Sequence, residues 1–225
     1  GERLRPLTDD VPKPMVLVQG RPLLEYHLRW LRAQGIEKAV LLTGYKHEVI
    51  QKYFSINEIE GLSIECVHEK EPLGRGGAIR NGFESAGIED DIFVVTNGDI
   101  ITDQPLGPLY QVHKDLNALI TILVTTMVSP FGIVDITDKG MVFGFKEKPE
   151  LPYWVNAGTY IMSSELVGEF PLTGDHERTL LPRLTKSGRV AAFKSSAYWR
   201  SVESAKDLLD IDAYLREADQ TDLLP

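Results

Sequence analysis

Cysteine, long hydrophobic runs and an excess of positive charge are all scarce in this sequence. The single cysteine, Cys66, cannot form an internal disulfide, which is typical of a reducing compartment and predicts a cytoplasmic protein. No apolar run approaches the ~20 residues that span a bilayer, so no membrane is expected as a partner. The formal net charge of −9 argues against a general nucleic-acid surface, although a nucleotide site needs only a few local cations.

Recognisable histidine chemistry is also missing. The five histidines are scattered without the spacing of metal ligands, and no Ser-His-Asp arrangement is visible. We therefore predict that each histidine is a surface or structural residue. They are His27, His47, His68, His113 and His176.

The 225 residues show short apolar runs alternating with helical patterns, the rhythm of an α/β protein. We predict one domain over residues 1–218, with a mixed, mainly parallel central sheet between helices, and a loose tail over residues 219–225. The predicted helices are 23–33, 46–54, 77–86, 177–186 and 205–218. The predicted strands are 39–43, 63–67, 92–96, 118–125, 132–136, 141–145, 156–162 and 190–194.

The first fifteen residues combine a glycine, two arginines and a rigidly held lysine. Lys13 lies between two prolines, which fix their own φ and bias the preceding residue toward extended backbone. Such a loop suits a polyphosphate, and a polar surface loop is the alternative. A phosphate-binding turn normally follows a strand that aims it. We therefore expect a strand and one or two glycines to precede Gly1, and the chain as numbered to be incomplete for catalysis.

A carboxylate follows the predicted strand 92–96, at the edge of the sheet where ligands collect. Asp99 comes directly after Asn97 and Gly98, and its oxygens can hold a hard cation. The alternative is an aspartate that only serves the turn. Asp103 is a second candidate carboxylate, but it is better placed as a helix N-cap before Pro105.

Five stretches, in order along the chain, together resemble the sugar-1-phosphate nucleotidyltransferases (NDP-sugar pyrophosphorylases). The resemblance covers nearly the whole chain and implies a Rossmann-like (GT-A-like) three-layer fold. It implies a signature loop in residues 1–14, a nucleotide-base loop in 71–78, a magnesium-ligand motif in 96–99, a sugar-phosphate motif in 145–149 and a sugar-contacting strand in 155–160.

The resemblance implies a role for each matching residue. Arg3 would hold the departing pyrophosphate, Lys13 would stabilise the transition state, Asp99 would bind Mg²⁺, and Lys148 would bind the sugar phosphate. Arg5 is a weaker candidate at the rim. The implied substrate-binding residues are Gly1, Glu71, Gly74, Gly76, Gly77, Asn97, Gly98, Gly132, Glu147 and Asn156.

Two positions depart from the pattern of the family. Arg75 stands where the guanylyltransferases often have a small residue, which weakens any assignment of the base. Ser201 replaces an aspartate of one common motif, and a hydroxyl is a poor magnesium anchor. A different register, typical of the cytidylyltransferases, places Glu203 as the second metal ligand. The alternative for Glu203 is a favourable charge at the N-terminus of the last helix.

The reaction implied by the resemblance joins a nucleoside triphosphate to a sugar-1-phosphate and releases pyrophosphate. The loop at residues 71–74 favours GTP with mannose- or heptose-1-phosphate, while CTP, dTTP or UTP with glucose-1-phosphate stay open. A non-catalytic paralogue that senses nucleotide sugars is the alternative of another class. The sequence does not decide the oligomeric state, and a homodimer is kept as a candidate.

Overall fold

Helices and strands alternate along the chain, and each element predicted from the apolar periodicity is present. One helix, Leu106–Asp115, and four short strands were not predicted. These strands are Leu17–Val18, Arg21–Pro22, Ile100–Thr102 and Trp199–Ser201. The structure, a computed structural model, describes residues 2–217. The helices are α1 (Leu23–Ala33), α2 (His47–Phe54), α3 (Gly74–Ser85), α4 (Leu106–Asp115), α5 (His176–Leu184) and α6 (Ala205–Glu217). The strands are β1 (Leu17–Val18), β2 (Arg21–Pro22), β3 (Lys38–Thr43), β4 (Ser63–His68), β5 (Ile92–Thr96), β6 (Ile100–Thr102), β7 (Ile120–Thr125), β8 (Ile133–Ile136), β9 (Val142–Lys146), β10 (Val155–Ser163), β11 (Val190–Lys194) and β12 (Trp199–Ser201).

The central sheet is mixed, as predicted. Its strand order is β11-β7-β10-β5. β11 pairs parallel with β7, whereas β10 pairs antiparallel with both β7 and β5. Three of these four strands therefore run in one direction, and β10 alone runs against them. β3 and β4 form a separate parallel pair, and β8 and β9 form an antiparallel hairpin.

Helices cover both faces of the sheet, which gives the three predicted layers. Neighbouring side chains of β10 point to opposite faces, as in any strand. Ile161 packs in the cluster that α1, α2 and α4 share, whereas Tyr160 and Met162 pack in the cluster formed with α3 and α5. A third cluster packs α6 against β1 and the 3-10 turn that contains Leu4. The C-terminal helix therefore lies against the N-terminal loop.

Within residues 2–217, β3 and β5 each pair with one strand only, so each has one edge without a strand partner. β3 pairs with β4 alone and β5 with β10 alone. Leu41 of β3 and Val94 of β5 nevertheless pack against the same core cluster. The two strands therefore border a common core without being hydrogen-bonded to each other.

Three predicted boundaries were wrong by two or three residues. The third helix begins at Gly74, three residues before the predicted start at Gly77, and β7 begins at Ile120 rather than Ala118. The helix α5 ends at Leu184, two residues before the predicted end at Lys186. The predicted end of the last helix at Ala218 and the predicted tail lie outside the described residues.

Candidate active site

The ammonium group of Lys13 lies between two carboxylates. Its Nζ is 2.7 Å from Asp99 Oδ2 and 3.0 Å from Glu203 Oε1. Burial by itself lowers the pKa of Lys13, but the hydrogen bonds and charges of Asp99 and Glu203 outweigh burial and raise the pKa above its ordinary value. Lys13 is therefore a fixed cation at neutral pH.

Local backbone holds Lys13 and Asp99 together. Lys13 begins a short 3-10 turn directly after Pro12, whose φ of −69° and ψ of 153° are extended. Gly98 lies against this turn, since a Cβ there would be 3.1 Å from Leu24 and 4.0 Å from Pro14. The stiff lysine segment and the end of β5 therefore approach closely through the small residue before Asp99.

Glu203 is positioned by the start of α6. Asp207 Oδ2 accepts hydrogen bonds from the backbone N–H groups of Glu203 (3.0 Å) and Ser204 (2.8 Å). Asp207 thus satisfies the helix N-terminus, and the Glu203 side chain extends to Lys13 instead. Ser201, the rival candidate, has its hydroxyl 3.4 Å from Glu203 Oε1 as a donor.

The prediction that Asp103 is an N-cap was wrong. Pro105 precedes α4, and the N–H of Leu106 is bound by the side chain of Gln34. The Asp103 carboxylate instead accepts a hydrogen bond from the Tyr214 hydroxyl at 2.9 Å. Burial, with this carboxylate as the next cause, raises the pKa of Tyr214. Asp103 therefore serves the packing of α6.

The arginines of the N-terminal loop differ in their contacts. Arg3 Nη2 lies 3.4 Å from Glu203 Oε2, and its side chain is 79% exposed. Arg5 pairs with Asp9 at 3.5 Å. Arg3 therefore joins the cluster of Lys13, Asp99 and Glu203, whereas Arg5 pairs locally with Asp9. Gly1 lies outside the described residues.

A bulge lies in β10, the strand that is predicted to contact the sugar. The register of β10 against β7 shifts between Asn156 and Tyr160, and Gly158 has a φ of +74°. The carbonyl of Gly158 accepts the N–H of Asn97 at 3.0 Å, and a Cβ at Gly158 would lie 2.4 Å from the Asn97 amide nitrogen. Only glycine allows this close approach, which places Asn156 near the end of β5.

A hydrogen-bonded network beyond Asn156 includes residues that sequence reasoning missed. Asn156 Nδ2 donates to the Tyr160 hydroxyl at 2.5 Å, and that hydroxyl donates to Glu177 Oε1 at 2.9 Å. Glu177 also pairs with Arg75 Nη1 at 2.8 Å. The network joins the base loop to the sugar-contacting strand. It also explains the arginine at position 75, which has a carboxylate partner on α5.

Glu177 carried only one sequence signal, an acidic residue in the first turn of a predicted helix, and that signal usually indicates a helix-dipole effect. Tyr160 is part of the quoted sugar-strand stretch, but an aromatic residue in a strand normally belongs to the core. Its side chain is in fact 2% exposed, and only the hydroxyl reaches the network.

The glycines of the base loop pack against the segment before α5. The N–H groups of Gly76 and Gly77 donate to the carbonyl of Gly174 at 2.8 and 3.3 Å. A Cβ at Gly76 would lie 2.9 Å from that carbonyl oxygen, and one at Gly77 would lie 2.4 Å from the carbonyl oxygen of Leu172. In this structure both amides therefore donate to the protein itself, and contact of this loop with a base stays a prediction. Glu71 and Gly74 are exposed in the same loop.

The sugar-phosphate motif lies at the base of the β8–β9 hairpin. A Cβ at Gly132 would be 2.6 Å from the Phe145 ring and 3.1 Å from Glu147 Oε2, so Gly132 and Glu147 are neighbours. Lys148 follows with a φ of +43°, uncommon for a residue with a side chain. The turn presents Lys148 as an exposed cation.

The two carboxylates around Lys13 fit a hard divalent cation. Asp99 Oδ2 and Glu203 Oε1 lie 2.7 and 3.0 Å from the same Lys13 nitrogen, so the two carboxylates are close to each other. Mg²⁺ prefers oxygen ligands and is commonly held by one or two carboxylates together with substrate phosphates and water. In the part of the chain that the structure describes, no group of three or more His, Cys, Asp or Glu side chains is arranged to hold a metal ion. The other ligands would therefore come from substrate and water.

Paired carboxylates and fixed cations at strand ends of a three-layer α/β fold define a site for phosphate chemistry. The chain belongs to the Nucleotidyl transferase family, whose family model matches residues 1–218. Enzymes of this family generally use a divalent metal ion. None of the helices within residues 2–217 combines the length and apolar character that a membrane-spanning helix requires.

Several characterised relatives are similar to this chain. It is 33% identical over 217 residues to a mannose-1-phosphate guanylyltransferase of Mycobacterium tuberculosis, covering 93% of this chain and 60% of the relative. It is 37% identical over 169 residues to D-glycero-alpha-D-manno-heptose 1-phosphate guanylyltransferase of Aneurinibacillus thermoaerophilus, covering 74% and 72%. The chain thus spans less than two thirds of the length of the mannose-1-phosphate relative.

Solved structures show the same fold. The crystal structure of HddC from Yersinia pseudotuberculosis has a TM-score of 0.76 and is 28% identical, covering 95% of this chain and 94% of that one. The same protein complexed with GMP-PN has a TM-score of 0.75. The prediction of the family and of a Rossmann-like fold is confirmed.

Proposed function

We propose that this protein transfers a nucleotidyl group from a nucleoside triphosphate to a sugar-1-phosphate. The observation that carries the proposal is the Lys13 ammonium bound by Asp99 and Glu203, in a chain of the Nucleotidyl transferase family. Both relatives named above are guanylyltransferases, and the HddC structure was solved with GMP-PN. We therefore propose GTP as the nucleotide and mannose- or heptose-1-phosphate as the acceptor.

The proposed reaction is an in-line displacement. A phosphate oxygen of the sugar-1-phosphate attacks the α-phosphorus, a new P–O bond forms, and the bond to the bridging oxygen breaks as pyrophosphate leaves with its electron pair. Lys13 is held rigidly and faces the reacting phosphates. Arg3 is exposed, so its guanidinium can reach the departing pyrophosphate.

Asp99 and Glu203 are the proposed ligands of Mg²⁺. When bound, this ion would neutralise the charge of the phosphates and polarise them. Glu203 is preferred over Ser201 because a carboxylate binds Mg²⁺ better than a hydroxyl does, and because Glu203 lies beside Asp99 through their shared contact with Lys13.

The sugar side of the site lies at the base of the hairpin and at the β10 bulge. We assign Lys148 to the sugar phosphate, and Gly132, Glu147 and Asn156 to the sugar hydroxyls. For the base we retain the exposed Glu71 and Gly74. Asn97 and Gly98, directly after β5, remain proposed substrate-binding residues. Gly76 and Gly77 support that loop by packing.

A pyrophosphate-release assay tests the function. The full-length protein is incubated with Mg²⁺, each of GTP, CTP, UTP and dTTP, and each of mannose-, heptose- and glucose-1-phosphate. We expect turnover, fastest with GTP. Preference for another nucleotide would overturn the base assignment alone. If no pair of substrates is turned over while nucleotide sugars still bind, the enzyme hypothesis is refuted. The alternative, a non-catalytic sensor of nucleotide sugars, would then be favoured.

The unpartnered edges of β3 and β5 support a further strand between them. We propose that a strand from outside the described residues lies between them and belongs to the same domain as residues 1–218. We expect slow exchange of those β3 and β5 amides that do not bond to β4 or β10. Fast exchange of these amides on both strands would refute the added strand. A reducing, cytoplasmic location remains our prediction from the single Cys66.

A further inference from the structure

The carboxyl end of β11 carries a lysine that the proposed reaction does not use. β11 and β5 both run parallel to β7, since β10 lies antiparallel to β7 and to β5. Their carboxyl ends therefore meet at one edge of the sheet, the edge at which open α/β sheets bind ligands. Lys194 is the last residue of β11, so it lies at the same edge as Asp99, which follows β5.

Lys194 shares a row of side chains with Asn156. Val124 of β7 is the register partner of Lys194 on one side and of Asn156 on the other, and register partners in a sheet point to the same face. Asn156 Nδ2 lies 3.4 Å from Glu177 Oε1, so the row lies on the face that packs against α5. Two strand spacings of about 4.7–4.9 Å each separate the backbones of Lys194 and Asn156.

This part of the sheet face is accessible to a ligand. Asn156 and Lys194 are exposed, and Val124 between them is half-buried. Ala192, which lies two residues before Lys194 and therefore on the same face, is exposed as well. The row thus forms a shallow surface with an apolar centre and a hydrogen-bonding side chain at either end, and it continues outward from the Asn156 end of the proposed sugar site.

An aromatic ring holds the lysine over this surface. The Lys194 ammonium lies 5.1 Å from the centroid of the Trp154 ring, and the face of an aromatic ring attracts a cation. Trp154 comes two residues before Asn156, directly before β10, so the contact crosses β7 and brings the ammonium toward β10. Within residues 2–217 no carboxylate forms an ion pair with Lys194, so its N–H groups can donate to an oxygen of a ligand.

The ligand that suits this surface is the end of a sugar chain. Val124 and the Trp154 ring offer apolar contact to its carbon atoms, and the Lys194 ammonium donates hydrogen bonds to its hydroxyl oxygens. The proposed function places the acceptor sugar at Asn156, and Lys194 begins two strands away. Lys194 therefore faces the carbons beyond the sugar ring. A heptose has one more exocyclic carbon, with its hydroxyl, than mannose has.

We propose that Lys194 and Trp154 form the subsite for the exocyclic chain of the acceptor, and that this subsite selects heptose-1-phosphate over mannose-1-phosphate. The inference rests on the proposed function and decides between the two acceptors that it leaves open. A site that hydrogen-bonds a substrate hydroxyl discriminates against the analogue without it. Because Lys194 is exposed to water, we expect a moderate preference of about 10-fold, the value of a hydrogen bond to a charged group.

Calorimetric titration of the full-length protein tests the subsite separately from turnover. Mannose-1-phosphate and manno-heptose-1-phosphate are titrated in the presence of Mg²⁺, with and without a GTP analogue that cannot be cleaved between its α- and β-phosphates. We expect the wild type to bind the heptose-1-phosphate about 10-fold more tightly. Lys194→Met should abolish this preference by weakening heptose-1-phosphate alone. Trp154→Ala should reduce the preference, whereas Trp154→Phe keeps a ring beside the ammonium and should retain most of it.

Lys186→Met is the matched control. Lys186 is exposed like Lys194, but it precedes β11 and therefore lies at the opposite, amino end of that strand. This variant should bind both sugar phosphates as the wild type does. Circular dichroism melting checks that both lysine variants keep the fold.

The binding data also separate this inference from the proposed function. A wild type that binds the two sugar phosphates equally, or binds neither, would overturn the subsite, as would a preference that survives Lys194→Met. Equal weakening of both sugar phosphates in that variant would assign Lys194 to the phosphate at C1 and overturn the subsite too. A preference that depends on Lys194 would support the subsite even if no pyrophosphate is released, and in that case only the proposed nucleotidyl transfer would fail.

Discussion

Replacing Tyr160 by phenylalanine is expected to weaken sugar-phosphate binding while leaving nucleotide binding intact. The ring is 2% exposed, so the variant keeps its packing and loses only the hydroxyl. That hydroxyl accepts from Asn156 at 2.5 Å and donates to Glu177 at 2.9 Å. Burial raises the pKa of Tyr160, so the group is a neutral donor at every pH of the assay.

The structure sets the size of the expected effect. A hydrogen bond to a charged group contributes about 1.5–3 kcal/mol, so we expect the free energy of unfolding to fall by about that amount. Asn156 loses its shortest contact and is no longer held toward the sugar. A loss of one or two hydrogen bonds to substrate corresponds to a KM for sugar-1-phosphate raised about 10–100-fold.

The neighbouring ion pair supplies the control. Arg75 and Glu177 are 2.8 Å apart, and their ion pair does not use the Tyr160 hydroxyl. The base loop should therefore keep its anchor, and the KM for the nucleotide should not change. Glu177→Gln removes the charge that both Arg75 and the Tyr160 hydroxyl contact. It should therefore raise the KM for the nucleotide and the KM for the sugar-1-phosphate. Steady-state pyrophosphate release with each substrate varied in turn measures them. An unchanged sugar-1-phosphate KM in Tyr160→Phe, alongside a raised one in Asn156→Ala, would refute the positioning role.

Three further variants test the site and the fold. Asp99→Asn should lower turnover by about three orders of magnitude or more, because the charge of the metal ion that it would hold is worth several kcal/mol. The melting temperature should hardly change, because Lys13 keeps its contact with Glu203 at 3.0 Å. Near-normal turnover would remove Asp99 from the mechanism. Burial lowers the pKa of His27 to about 4 from 6.5. Between pH 6.5 and about 4 the unfolded chain therefore binds more protons than the folded protein, so the free energy of unfolding falls as the pH falls through this range. In urea unfolding, the wild type should lose about 2 kcal/mol more stability than His27→Leu between about pH 7 and 5. Equal losses in the two proteins would contradict this. Gly77→Ala should destabilise the protein by about 1–3 kcal/mol, because the new Cβ would lie 2.4 Å from a backbone oxygen. The control is Gly107→Ala, whose Cβ would have no atom within 4 Å. In thermal melts this control should be neutral or stabilising.

Much of the fold could be predicted because local signals and packing agree. The apolar spacing of Leu23–Ala33 predicts α1 with its observed bounds, and Gly35, with a φ of +87°, follows its C-cap residue Gln34. The direction of β10 could not be predicted in this way. A strand has the same alternation whether its neighbours are parallel or antiparallel, so only the pairing with β5 and β7 decided it.

Site prediction from sequence was limited in the same way. The glycines at 76 and 77 suggested an approachable backbone, but the segment around Gly174 already occupies that approach. Their lack of side chains indicates a close neighbour, and the sequence does not say whether this neighbour is a ligand or the protein itself.

The sequence by itself determined the chemical groups and the stiff local segments that present them, such as Lys13 between two prolines and Asp99 after Asn97 and Gly98. Those features depend on residues adjacent in the chain. Tertiary structure decided which groups meet. Lys13 and Glu203 are 190 residues apart, and Arg75 and Glu177 are 102 apart, so their contacts exist only because β12, α5 and α6 pack where they do. Local sequence restricts backbone conformation over a few residues, whereas these pairings depend on the burial of apolar surface across the whole domain.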